Sequence, residues 1–146
     1  MKSWAIWVIV IAVILVGIIG YSLYPEATPA DDGGDDSDVV IGKYVDVTVP
    51  EAKNMVDTKA GLIIIDVSAS YADGHLPGAI NYYVGDGSLD AAIPSLDKDA
   101  EYLVYCHFSS ASRTGAQKLV DAGFKSVYRL KDNYGAWVEF GYPIER

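Results

Sequence analysis

Cysteine is nearly absent from this chain, which has 146 residues and a single cysteine, Cys106. An internal disulfide is therefore excluded, and a cysteine-rich metal site is disfavoured because such sites need several thiolates. Basic residues are also few: 11 Lys and Arg stand against 20 Asp and Glu, which gives a net charge of −9. Binding to nucleic acid requires clustered Lys and Arg, and the sequence contains no such cluster. The same acidity disfavours flat adsorption to anionic lipid.

Charge is missing from the N-terminal segment. The run from Ala5 to Tyr24 contains no ionisable group other than tyrosines. At about 1.5 Å per residue it reaches roughly the 30 Å thickness of the hydrocarbon core of a bilayer. We therefore predict a transmembrane helix in residues 1–24, as an anchor or uncleaved signal. Lys2 precedes this run and only acids follow it, so the positive-inside rule predicts a single-pass protein with a cytoplasmic N-terminus and an extracytoplasmic domain. A cleaved signal peptide, which would give a secreted domain, is the alternative.

Two further regions follow the apolar run. Residues 25–38 are rich in Pro, Gly and Asp without apolar periodicity, which predicts an acidic flexible linker. Residues 39–146 are predicted to form one domain. Apolar patterns predict strands near residues 44–49, 62–67, 80–84, 102–105 and 127–130, and helices near residues 50–59, 112–122 and 134–140. Strands that alternate with helices predict an α/β domain with a mainly parallel sheet.

Cys106 directly follows one of these predicted buried strands and precedes a short polar loop and a helix. Backbone N–H groups and the positive end of a helix gather at such a junction, where they bind anions and favour a thiolate. Ligands of open α/β sheets bind at the carboxyl ends of the strands. We therefore expect Cys106 to be a nucleophile with a lowered pKa, the alternative being an inert buried cysteine.

Several short blocks occur in order along the predicted domain. They are Ile65-Asp66-Val67, the segment from Gly74 to Asn81, Tyr105-Cys106 with its loop, the segment from Ala122 to Tyr128, Ala136-Trp137 and Gly141-Tyr142-Pro143. In sequence and spacing this series resembles a single-domain rhodanese. The resemblance implies a rhodanese-like α/β fold, with a five-stranded, mainly parallel sheet flanked by helices. It also implies a sulfurtransferase whose cysteine thiolate accepts a sulfane sulfur, becomes a persulfide and passes the sulfur to an acceptor.

The resemblance makes Cys106 the catalytic residue and the residues after it the substrate-binding loop. That loop comprises His107, Phe108, Ser109, Ser110, Ala111 and Ser112. A common active rhodanese loop has basic residues just after the cysteine, a mid-loop glycine, and Arg, Lys or Thr at the fifth position. This chain has His107, Ser109 and Ala111 at the matching places. Because thiosulfate is a dianion, we expect it to be a poor donor for such a loop.

Three residues outside the loop are further candidates. Arg113 is the nearest cation in sequence and is a candidate for serving the site. Asp66 ends a predicted strand, and we expect it to cap the segment that follows rather than to act directly in catalysis. His75 lies in the block before Pro77, where we expect it to fix a turn by hydrogen bonding.

The leading functional prediction is a sulfurtransferase or persulfide carrier that acts through Cys106. Its partners would be a small sulfur-containing substrate, or a persulfide donor and acceptor, and the membrane through the N-terminal helix. No cofactor or metal is predicted. One alternative is a non-catalytic rhodanese-like binding module anchored at the membrane. A phosphatase or arsenate reductase is disfavoured because its loop needs Arg at the sixth position after the cysteine, where this chain has Ser112.

Overall fold

The computed structural model describes residues 43–146. The predicted transmembrane helix and the acidic linker both lie outside these residues. Within the described part of the chain, no helix combines the length and apolar character needed to cross a membrane.

Five strands form one sheet in the described domain. They are β1 (Val45–Val47), β2 (Ile63–Asp66), β3 (Ile80–Asn81), β4 (Glu101–Tyr105) and β5 (Ser126–Leu130). Their order across the sheet is β1-β5-β4-β2-β3, and each neighbouring pair is parallel. The expected parallel sheet is therefore confirmed. Strand β4 is central, which explains why residues 102–105 are uninterruptedly buried.

Within residues 43–146, four α-helices flank the sheet. They are α1 (Val49–Thr58), α2 (Ser88–Ala92), α3 (Ser109–Asp121) and α4 (Asn133–Glu139), and short 3₁₀ turns lie at Tyr71–Asp73 and Ile93–Ser95. Helix α1 begins with a capping box: the Thr48 side chain accepts from the Glu51 backbone N–H, and the Glu51 carboxylate accepts from the Thr48 N–H. Helix α2 was not predicted, because so short a helix has no readable apolar period.

Side chains alternate between the two faces of the sheet, and each face has its own apolar core. Leu103 and Tyr105 on β4 pack with residues of α1 and α4, including the fully buried Trp137. Val104 and Cys106 point the other way and pack with residues of α3 such as Leu119. The side chain of Cys106 therefore lies on the α3 face of the sheet, whereas that of the preceding residue, Tyr105, lies on the α4 face.

Helix α3 lies unusually close to the sheet. A Cβ atom at Gly115 would come within 2.9 Å of Val67 Cγ1 and 3.4 Å of Val104 Cγ1. A larger residue at this position would force Val67 or the helix to shift. The close packing at Gly115 places the N-terminal half of α3 next to the carboxyl ends of β2 and β4, where the candidate site lies.

Candidate active site

Cys106 follows the last residue of the central strand, and two N–H groups fix its backbone and side chain. Its Sγ accepts a hydrogen bond from the Phe108 N–H at 3.3 Å, and its carbonyl accepts from the Tyr134 N–H at 3.0 Å. The connection from β4 to α3 is only three residues long, from Cys106 to Phe108. Cys106 is 2% exposed, so its sulfur is almost inaccessible to solvent.

The expected lowering of the Cys106 pKa is wrong. Burial is the largest influence and raises the pKa of this thiol above its ordinary value, and the Asp66 carboxylate raises it further. The backbone N–H groups of Phe108 and His107 act in the opposite direction but do not outweigh burial. The sequence correctly indicated the N–H groups at a strand-to-helix junction, but it gave no measure of how deeply the sulfur is buried.

His107 turns away from the sulfur side of the sheet and meets Asp66. Its Nε2 lies 3.6 Å from Asp66 Oδ2, and its ring stacks on Tyr134 with ring centroids 4.1 Å apart. The His107 side chain is 13% exposed and that of Asp66 is 0% exposed. Within residues 43–146, neither of these two facing atoms has a hydrogen-bond partner. A carboxylate oxygen and an imidazole nitrogen therefore face each other in a nearly dry environment.

Asp66 also has the capping role predicted for it. Its Oδ1 accepts a hydrogen bond from the Ser68 N–H at 2.8 Å, which holds the first turn after β2. Asn81 strengthens the same turn, because its amide donates to the carbonyls of Asp66 and Ser68 at 2.9 Å each. Asp66 pairs in register with Tyr105. Burial and this carboxylate raise the pKa of the Tyr105 hydroxyl above its ordinary range.

Most of the predicted substrate loop is helical. Helix α3 begins at Ser109 rather than at Ser112, so Ser109, Ser110 and Ala111 lie in its first turn. Phe108 precedes the helix and is 71% exposed, whereas Ser112 is fully buried. The Ser112 hydroxyl accepts a hydrogen bond from Arg129 Nη1 at 3.5 Å. The binding role of this segment stays a prediction, but its Ser112 hydroxyl faces the protein interior.

Arg113 is exposed on the outer surface of α3. It lines a shallow groove together with Tyr44, Thr114, Gln117, Lys118 and Asp121, and none of residues 106–112 lines that groove. Arg113, seven residues after Cys106, therefore lies on a different surface of α3 from the residues of the first turn. The candidate site gains no lining cation from it.

His75 has the structural surroundings predicted from its sequence block. Its Nδ1 lies 3.2 Å from the Tyr71 carbonyl, and its ring stacks on the Tyr71 ring with centroids 3.8 Å apart. Its backbone exchanges two hydrogen bonds of 2.9 Å with Glu145, which ties the C-terminal segment to the turn. This histidine therefore fixes a turn.

Sequence reasoning missed two residues that shape the site. Arg129 is a buried cation on β5 that makes two 2.6 Å hydrogen bonds with Asp46 on β1 and also reaches Ser112. The available signal was a charged residue inside an otherwise apolar strand. Tyr134 carries the ring beneath His107, and it follows Asn133, whose φ is +63°. Asparagine tolerates this left-handed conformation better than most residues other than glycine.

Metal ligation finds no support in the described residues. In residues 43–146 no group of three or more His, Cys, Asp or Glu side chains is arranged to hold a metal ion. The chemistry that the described groups offer is that of one thiol, backbone N–H donors and a buried imidazole–carboxylate pair.

Comparison with known proteins agrees with this geometry. Residues 48–140 match the family described as Rhodanese-like domain. A solved structure of the Alr3790 protein from Anabaena sp. is 28% identical, with a TM-score of 0.61, over 68% of this chain and 90% of that chain. A Rhodanese_3-like domain of the same protein is 33% identical, with a TM-score of 0.53, over 58% of this chain and 99% of that chain. A thiosulfate sulfurtransferase from Pseudomonas aeruginosa is 24% identical, with a TM-score of 0.59, over 72% of this chain and 20% of that chain. The last similarity concerns the fold alone.

Proposed function

The chain belongs to the rhodanese-like domain family, and from that premise we propose that it is a sulfurtransferase or persulfide carrier with Cys106 as the sulfur-accepting nucleophile. The observation that carries this proposal is the hydrogen bond of 3.3 Å from the Phe108 N–H to Cys106 Sγ, at the junction of the central strand with α3. The donor is in place to stabilise a thiolate at Sγ.

The proposed reaction has two steps. The Cys106 thiolate attacks the outer sulfur of a donor, an S–S bond forms at Cys106, and the donor's bond to that sulfur breaks with its electron pair leaving on the donor. An acceptor nucleophile then attacks the outer sulfur of the persulfide, and the S–S bond breaks to restore the thiolate. The backbone N–H of Phe108 stabilises the negative Sγ of the thiolate before the sulfur is accepted and again after it has been passed on.

The first step is limited by the supply of thiolate. Because burial and Asp66 raise the pKa of Cys106, only a minority of the protein holds the thiolate at neutral pH. An organic polysulfide is neutral and an alkyl persulfide carries at most one negative charge, so both are repelled less by Asp66 than dianionic thiosulfate is. We therefore propose that organic polysulfide or persulfide donors are preferred.

A test uses the fact that the chain has a single cysteine. The full chain is treated with a persulfide donor, and its intact mass is measured before and after cyanide. One added sulfur that cyanide removes is expected for wild type and is expected to be absent from a folded Cys106→Ser variant. Failure of wild type to take up sulfur from thiosulfate, polysulfide and an alkyl persulfide alike would refute the proposal.

One observation favours a second candidate, a non-catalytic binding module. Cys106 is 2% exposed and its pKa is raised, which are properties of an unreactive buried cysteine. The same mass measurement separates the two candidates, because a binding module would remain unmodified by every donor.

We also propose that residues 1–24 anchor the domain to a membrane on its extracytoplasmic side, with residues 25–38 as a spacer. The support is the uncharged run from Ala5 to Tyr24, which has the length of a membrane span. Carbonate extraction and N-terminal sequencing of the native protein test this. Retention of the segment in the membrane fraction is expected, and a soluble mature chain that begins within the linker would contradict it.

A further inference from the structure

Asp66 is the one fully buried carboxylate in the described residues, and it lies at the carboxyl end of β2 next to the end of β4. Its Oδ1 is satisfied by the Ser68 N–H, but its Oδ2 faces His107 Nε2 across 3.6 Å. A buried anion with a half-satisfied carboxylate is costly unless a neighbouring donor compensates its charge. In residues 43–146 the ion-pair partner of Asp66 is His107, and no lysine or arginine forms an ion pair with it.

The rest of the cluster holds His107 in this arrangement. The imidazole is stacked on Tyr134, and the Tyr134 N–H is bonded to the Cys106 carbonyl. Gly74 makes room for this ring, because a Cβ at that position would meet the Tyr134 hydroxyl oxygen at 2.3 Å. The imidazole is thus held between a tyrosine ring and a carboxylate, in the residue directly after the candidate nucleophile.

We propose that His107 is a positioning residue that acts on Cys106 through Asp66: its imidazole faces Asp66 Oδ2 across 3.6 Å and offsets the charge of the buried carboxylate, which otherwise opposes a thiolate on Cys106. The inference rests on the proposed function for its biological meaning, whereas the effect of His107 on the reactivity of the Cys106 thiol can be measured without a sulfur donor.

Three titratable residues lie around the Asp66 carboxylate: Tyr105 on β4, which pairs with Asp66 in register, and Cys106 and His107 in the connection that follows. Tyr134 on α4 lies behind His107, and Tyr71 lies beyond Tyr105. The Tyr105 hydroxyl is neutral at ordinary pH, because burial raises its pKa. Asp66 pairs in register with Tyr105, the residue directly before Cys106, so the carboxylate lies on the neighbouring strand at the level of the thiol, and its charge raises the pKa of Cys106. Offsetting of that charge by His107 therefore increases the thiolate fraction.

The test measures the rate of Cys106 alkylation by iodoacetamide against pH in the full chain. His107→Phe keeps a ring to stack on Tyr134 but removes the nitrogen that faces Asp66. We expect its alkylation midpoint to rise and its rate at neutral pH to fall by about three- to tenfold. His107→Gln restores an N–H donor, and we expect it to recover part of the rate.

The matched control is the other histidine of the chain. His75 is also stacked on a tyrosine, and its Nε2 lies 3.7 Å from the Glu145 carboxylate. This carboxylate is exposed and His75 is remote in sequence from the thiol, so we expect His75→Phe to leave the alkylation midpoint unchanged. An equal shift in both variants would overturn the proposal, because it would show a general effect of losing a stacked imidazole.

Asp66→Asn decides whether His107 acts through the carboxylate. We expect this variant to lower the midpoint, and His107→Phe to have no further effect in its background. A full His107→Phe effect without the Asp66 carboxylate would overturn the proposal in favour of direct contact with sulfur. Should Asp66→Asn fail to fold, the comparison of the His107 variants with His75→Phe decides. Alkylation needs no sulfur donor, so these outcomes stay separate from the mass measurement of the proposed function.

Discussion

Replacing Ala111 by arginine tests whether the missing charge sets the choice of sulfur donor. Ala111 is half-buried in the first turn of α3, at the fifth position after Cys106. An arginine there would place a guanidinium near the N-terminus of the helix and near the sulfur. A charge-assisted hydrogen bond contributes about 1.5–3 kcal/mol, so we expect kcat/KM for thiosulfate to rise by roughly ten- to 150-fold. For an alkyl persulfide, which carries at most one negative charge, we expect less than about a threefold change.

The assay is cyanolysis of sulfur loaded from thiosulfate or from an alkyl persulfide, measured as kcat/KM for each donor. Thr114→Arg is the matched control, because it adds the same charge to the exposed surface of α3 beside Arg113. Salt screens a charge placed there, so we expect less than about a threefold effect on thiosulfate. Arg113→Ala should likewise leave the donor preference unchanged. The reasoning is refuted if wild type already prefers thiosulfate, or if Thr114→Arg raises thiosulfate activity as much as Ala111→Arg.

Three further predictions concern the thiol and the support of the site. Because burial and Asp66 raise its pKa, Cys106 should alkylate with a midpoint above the free-thiol value of about 8.5; the rate then rises with pH beyond that value, and a lower midpoint would contradict the burial argument. Gly115→Val should lower the free energy of unfolding by about 1–3 kcal/mol in urea titrations, because its side chain would overlap Val67; unchanged stability would show that α3 can move off the sheet. Asp46→Ala leaves the buried Arg129 without its carboxylate partner and should lower the free energy of unfolding by about 1–2 kcal/mol, as measured by thermal unfolding. The loss is smaller than for a fully buried pair, because Asp46 is half-exposed. A loss below about 0.5 kcal/mol would mean that water replaces the carboxylate.

The described domain follows closely from local patterns in the sequence. Continuous apolar runs marked β2 and β4 as strands buried on both faces, and the alternation of strands with helices implied parallel pairing. The position of Cys106 at the end of a strand was readable for the same reason, since a run of apolar residues ends there. Patterns of this kind operate between residues close in sequence. These patterns predicted that α3 begins at Ser112 instead of Ser109, because small polar residues carry little periodic signal.

The tertiary structure decided which groups act on the sulfur. His107 meets Asp66 because β2 and β4 are neighbours in the sheet, and it lies on Tyr134 because α4 returns to the same edge. Arg129 reaches Ser112 across the α3 face, while Arg113 lies in an outer groove despite its closeness in sequence. Each of these relations joins residues far apart in the chain or separates near ones, and single-sequence patterns carry no such information. The pKa of Cys106 was decided in the same way: its helix N-terminus was visible in the sequence, but burial, which opposes it, exists only once the chain has packed.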